Sequence, residues 1–228
     1  MDFSYSTLCL GTRRDAATWE KGCAGLGMSK VWSIRNPKPT LTDLKNFFAR
    51  PASWVYFGGH FIMGDDTGQK RKLYNDAIDV TIAFDGDRIS VKAGGESAEL
   101  KPNGGGFALQ SKTWLVLWGG CSVCNSVSVM HHMRMLFGRH VLLGFNGTTD
   151  PSLVDNMLGG GALQESFFRR LEGLDDFVGI EAAPQAWMAA GAAAVVGTTD
   201  ESKTRAVDLG GQEWALQGGK IVRGRKVA

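Results

Sequence analysis

Two segments of the chain share one form: an apolar run, two glycines, then a chemically active side chain. Residues 54–57 (Trp-Val-Tyr-Phe) lead into Gly58-Gly59-His60, and residues 115–118 (Leu-Val-Leu-Trp) lead into Gly119-Gly120-Cys121. A turn of small residues lets the following side chain project from a sheet edge and leaves backbone N–H groups able to face an oxyanion. A thiol with an ordinary pKa near ~8.5 is only partly ionised at neutral pH, and an adjacent imidazole activates it for attack on a carbonyl carbon. The pair therefore points to peptidase or acyl-transfer chemistry. The competing reading is structural, since a lone cysteine often packs as a small hydrophobe and a lone histidine often serves the core. What favours chemistry is the occurrence of both residues after matching turns, at the ends of strands expected to be neighbours.

Other templates carry less. Cys121 and Cys124 form a Cys-x-x-Cys, with His131, His132 and His140 nearby. A structural zinc site wants a second ligand pair, and Cys9 and Cys23 lie far away without that spacing. A redox pair normally opens a helix in a thioredoxin-like unit, which the preceding elements do not resemble. Cys124 reads as a packing residue at a helix start, and consecutive His131 and His132 point in different directions on a helix. No metal or cofactor is expected. The chain lacks a Gly-x-Ser-x-Gly elbow, a phosphate-binding loop with its Gly-Lys-Ser/Thr ending and a His-Glu-x-x-His helix. The glycines of 22–27 read as a loop entering the next strand. Trp118, close to Cys121, is a candidate for lining a substrate pocket.

Positioning such a pair requires a sheet. Residues 4–10, 31–34, 54–57, 114–118 and 141–145 read as strands, and the last three are near-continuously apolar, as strands buried on both faces are. Helical patterns lie between them. One starts at Thr40, with Asp43 three residues on, Leu41, Leu44, Phe47 and Phe48 on one face and Pro51 beyond its end. Others are predicted over 126–137, over 162–171 and from Pro184 onward. Strands alternating with helices predict an α/β three-layer sandwich with a mostly parallel central sheet. Residues 79–84 and 88–92 flank Asp85-Gly86, a hairpin signal, so an antiparallel insertion is expected around 76–110. With no repeat and no long linker, residues 1–228 read as a single domain.

Composition narrows the function classes. Of 228 residues, 43% are hydrophobic and 21% charged, which excludes a disordered chain or a coiled coil. A net charge of +2 gives no electrostatic reason to expect a nucleic-acid or membrane-surface partner. No apolar run approaches the ~18–20 residues that span a bilayer, and the first fifteen residues carry no signal-type stretch, so a cytoplasmic protein is expected. Four cysteines are too few for a disulfide scaffold. The oligomeric state is not legible.

The segments WVYFGGH and WLVLWGGCSVCNS, in that order, resemble the histidine and cysteine strands of caspase-like peptidases, the clan of caspases, metacaspases, gingipains and bacterial CHAT domains. Residues 141–145 are similar to the fifth core strand of that fold, and HVLLGFNGTT with a later AWMAAGA resembles uncharacterised bacterial members. The resemblance implies His60 as general base and acid, Cys121 as nucleophile, and the backbone N–H groups of Cys121 and Phe61 as the oxyanion hole. The family usually has His-Gly where this chain has His60-Phe61. It also implies that the loop after the first strand, with Arg13, Arg14 and Asp15, contributes charge to the specificity pocket. Inward-facing Arg13 or Arg14 would select an acidic substrate residue, whereas inward-facing Asp15, Asp65 or Asp150 would select Arg or Lys. The leading expectation is a cysteine endopeptidase acting on a protein or peptide through a thioester acyl-enzyme, with a basic residue preferred. The alternative is a catalytically silent caspase-like module that binds a peptide or partner protein.

Overall fold

The computed structural model describes residues 3–10, 13–35, 38–63, 71–75, 79–85, 88–101, 112–119, 123–146, 162–194 and 203–227. Its elements run β1 (Ser4–Cys9), α1 (Arg13–Gly25), β2 (Ser29–Ile34), α2 (Leu41–Ala49), β3 (Trp54–Gly58), β4 (His60–Met63), β5 (Arg71–Asn75), β6 (Val80–Asp85), β7 (Arg88–Ala93) and β8 (Glu96–Leu100). Then follow β9 (Leu115–Gly119), α3 (Val127–Met135), β10 (Val141–Phe145), α4 (Ala162–Leu171), α5 (Asp176–Ala194), β11 (Thr204–Val207), β12 (Gln212–Gln217) and β13 (Lys220–Lys226).

Eight strands form one mixed sheet in the order β13-β12-β11-β10-β9-β3-β1-β2. The five strands from β10 to β2 in that order run parallel, and β11, β12 and β13 complete the sheet antiparallel. Side chains alternate across a strand, so each apolar strand feeds two cores. Tyr5, Trp54, Tyr56, Leu115, Leu117 and Leu143 face α1, α4 and α5. Leu8, Val55, Phe57, Val116, Trp118 and Leu142 face α2 and α3. The protein is thus α/β, with a sheet covered on both faces as a three-layer sandwich requires.

The antiparallel insertion is larger than a hairpin. Strands β4 to β8 form a separate five-stranded sheet in sequence order, of which the expected hairpin supplies β6 and β7. Its inner face packs on the same core as α2 and α3: the Phe84 ring meets Trp118 edge-on at 5.0 Å and Phe57 at 5.3 Å. Polar alternation hid β8, whose sequence Glu-Ser-Ala-Glu-Leu buries only its final residue. Gly94 and Gly95, both with positive φ, make the tight β7–β8 turn.

The helices follow local rules with two departures. Thr40 and Asp43 close a reciprocal capping box on α2, whose Leu41, Leu44, Phe47 and Phe48 are buried. The Ser126 hydroxyl caps α3 by accepting from the Val129 N–H at 3.2 Å. Residues 22–25, read above as part of a loop, instead end α1, because Phe168 packs where a Gly22 side chain would lie. Helix α5 begins at Asp176, not at Pro184, which sits inside it. An internal proline leaves the carbonyl four residues earlier without its helical donor, at a cost of about 3 kcal/mol. Burial of Ile180, Ala183, Trp187, Met188 and Ala190 against the sheet offsets that loss.

Candidate catalytic site

The two strands that end in glycine pairs are direct neighbours. Strand β3 pairs in parallel with β9, with Phe57 opposite Trp118 and Gly58 opposite Gly119, and no strand lies between them. On its other side β3 pairs with β1, which places Cys9 opposite Gly58. Gly59 then takes φ of +134°, a conformation that side-chain-bearing residues rarely adopt, and the chain turns out of the large sheet into β4. His60 is the first residue of β4, exposed and opposite Tyr74. Cys121 lies two residues beyond Gly119, as His60 lies two beyond Gly58, and falls outside the described residues.

Beneath the paired glycines lies a polar cluster that the sequence did not announce. A Cβ on Gly58 would sit 2.6 Å from the Tyr56 phenolic oxygen, and one on Gly119 would collide with the same oxygen. Glycine is therefore required at both positions by the tyrosine packed under them. The Tyr56 hydroxyl donates to Asp15 Oδ2, while Asp15 Oδ1 accepts from the Ala16 N–H at 2.7 Å and lies 3.8 Å from Cys9 Sγ. Asp15, in the first turn of α1, is only 1% exposed. Burial, then the Asp15 charge, then Cys9 push the Tyr56 phenol well above its ordinary value, so it stays protonated and acts as a donor. The buried Gln164 amide of α4 faces the same phenol and lowers its pKa slightly against the other influences. The available signals were a tyrosine within an otherwise apolar buried strand and an aspartate placed to open a helix.

The remaining expected site residues separate. Phe61 is buried, its ring edge-on to Trp118 at 5.7 Å and stacked on Phe84 at 6.3 Å. The His-Phe sequence thus has a packing reason: the Phe61 side chain anchors β4 on the core, while a backbone donor needs no particular side chain. Trp118, expected to line a substrate pocket, is fully buried and stacks on Phe57 at 4.6 Å, so its indole belongs to the core. Asp15 turns inward. The side chains of Arg13 and Arg14, together with Asp65 and Asp150, lie outside the described residues.

Cys124 is buried just before α3, its N–H donating to the Phe145 carbonyl at 2.8 Å and its sulfur packed against Gly144. His132 lies 3.7 Å from Asp85 Oδ1 and joins α3 to the second sheet. His140 is wholly buried, with its Nδ1 2.8 Å from the Gly138 carbonyl, and burial lowers its pKa to about 3. Among the described residues, no three His, Cys, Asp or Glu side chains converge as a metal site would require, and no helix is long and apolar enough to cross a membrane. No family model, curated protein or solved structure matches this chain.

Proposed function

We propose that the chain is a cysteine endopeptidase of caspase-like architecture, with Cys121 as nucleophile and His60 as general base and acid. One observation carries the proposal: β3 and β9 are adjacent and parallel with Gly58 opposite Gly119, so His60 and Cys121 leave neighbouring strands at the same offset. Adjacent strands lie about 4.8 Å apart, which suits a thiol and an imidazole that must meet over one carbonyl. Ligands and reacting groups in open α/β sheets gather beyond the carboxyl ends of the strands, and both residues follow such ends in the sequence. Strand β10, the fifth parallel strand in chain order, sits beside β9, which agrees with the resemblance drawn from residues 141–145.

In this mechanism His60 accepts the Cys121 thiol proton and the thiolate adds to the scissile carbonyl carbon. The resulting oxyanion is held by the backbone N–H groups of Cys121 and Phe61. Collapse of the adduct breaks the C–N bond, His60 returns the proton to the departing amine, and a thioester remains on Cys121. Water activated by His60 then hydrolyses the thioester, giving a carboxylate product and the free thiol. The preference for Arg or Lys on the acyl side of the cleaved bond rests on the resemblance, since Asp15 is 1% exposed and its oxygens are taken by the Tyr56 hydroxyl and the Ala16 N–H. A peptide-library cleavage profile tests the reading. Cleavage dominated by Arg or Lys and abolished in Cys121→Ala is expected, whereas cleavage dominated by Asp refutes the preference. Binding of peptides without cleavage, unchanged in Cys121→Ala, would instead support the silent module.

A further inference from the structure

At the opposite, amino-terminal edge of the sheet, a cavity of about 430 Å³ opens between the end of α3, the β11–β12 turn and the end of β13. Its place follows from pairing. Strand β10 starts at Val141 opposite the first residue of β9, and β11 ends at Val207 opposite Leu142, so residues 138–140 and 208–211 meet at that edge. Four basic side chains line the cavity, His131, Arg134, Arg139 and Lys226, and no carboxylate does among the described residues. Met135, half exposed, and Leu209 supply apolar wall.

The guanidinium groups converge, and among the described residues no carboxylate lines the cavity with them. Arg139 Nε donates to the Leu209 carbonyl at 2.7 Å, and Arg134 Nη2 donates to the same oxygen at 3.3 Å. One neutral carbonyl thus holds two cations close together. Arg134 is 7% exposed, and its buried Nε has no partner among the described residues. Asp208 on the turn acts on Arg134 only through its charge, because its oxygens accept from the Gln212 N–H at 2.9 Å and the Trp214 indole N–H at 3.3 Å, and burial still holds the Arg134 pKa below its ordinary value. Holding a buried guanidinium beside another cation costs free energy that an anion placed between them would offset.

We propose that this cavity binds a small organic acid, its carboxylate held by Arg134, Arg139 and Lys226 and its apolar body against Met135 and Leu209. The fork of a guanidinium matches two carboxylate oxygens, and the volume falls within the range of small-molecule sites. Isothermal titration at constant ionic strength with hexanoate, inorganic phosphate and hexanol tests it. Saturable one-to-one binding of hexanoate is expected, at least ~10-fold tighter than either phosphate or hexanol, because each of those lacks half of the ligand. Arg139→Gln, a change at an exposed side chain, should weaken hexanoate at least ~10-fold while the thermal midpoint without ligand holds. Lys226→Gln should weaken it as well. Cys121→Ala should bind as the unmodified chain does, which separates this site from the peptidase reading. Absence of saturation, equal binding of hexanol or phosphate, or undiminished binding in Arg139→Gln overturns the proposal.

Discussion

Gly58 and Gly119 face each other across two parallel strands, and the hydroxyl of Tyr56 lies beneath both. The same tyrosine donates to buried Asp15 and so ties the start of α1 to the two strands that lead to His60 and Cys121. Each glycine therefore leaves room for a buried ring, and after Gly58 the chain turns at Gly59 out of the large sheet to His60.

Adding a methyl group at either glycine should overpack this junction. Gly119→Ala is expected to lower stability by about 1–3 kcal/mol, read from denaturant midpoints. Tyr56→Leu in the same chain should relieve part of that loss, giving a coupling of at least about 0.5 kcal/mol in a double-mutant cycle. Strict additivity would mean that Tyr56 does not set the glycine requirement.

The two cysteines of the Cys-x-x-Cys should behave differently. Cys124 is buried against Gly144, so Cys124→Ala should leave most of the proposed peptidase activity while lowering stability modestly. Cys121→Ala should remove the activity without comparable loss of stability. Equal loss of activity in both folded variants would point to a shared role of the pair.

His140 gives the fold a pH dependence with a definite sign. Its folded pKa is lowered to about 3 by burial, against an ordinary value of 6.5. Its stabilising contribution is complete above 6.5 and declines as pH falls from 6.5 toward 3, because only the unfolded chain takes up the proton in that window. Between pH 7 and pH 5 this group alone should remove about 2 kcal/mol of stability. His140→Gln should flatten that slope in denaturant titrations at the two pH values, and an unchanged slope would show that another group is responsible.

The legible parts of the fold were those where burial leaves a one-dimensional trace. Strands β3, β9 and β10 are continuous apolar runs because both faces are covered, and α2 announces itself through Thr40, Asp43 and its four buried residues. Helix α1 was hidden by Gly22 and Gly25, residues that read as loop until Phe168 is seen packed on Gly22. Strand β13, Lys-Ile-Val-Arg-Gly-Arg-Lys, lies at the sheet edge with most side chains exposed, so no apolar alternation marks it. At the site, the matching glycine turns were legible, and the adjacency of their strands followed from the parallel-sheet expectation. The cluster of Asp15, Tyr56 and Gln164 was not, because its members are distant in sequence and meet only through the packing of α1 and α4 on the sheet. Trp118 illustrates the converse: closeness to Cys121 in sequence suggested a pocket wall, but strand alternation turns its indole into the core.

The pairing of His60 with Cys121 is tested most directly by the rate of Cys121 alkylation with iodoacetamide as a function of pH, in the unmodified chain and in folded His60→Gln. An imidazole beside the thiol should give stoichiometric labelling of Cys121 at pH 7, governed by a thiol pKa below the ordinary ~8.5 and slowed at least ~10-fold by His60→Gln. Labelling of Cys121 at the same rate and with the same pH profile in both chains would contradict the pairing and, with it, the peptidase.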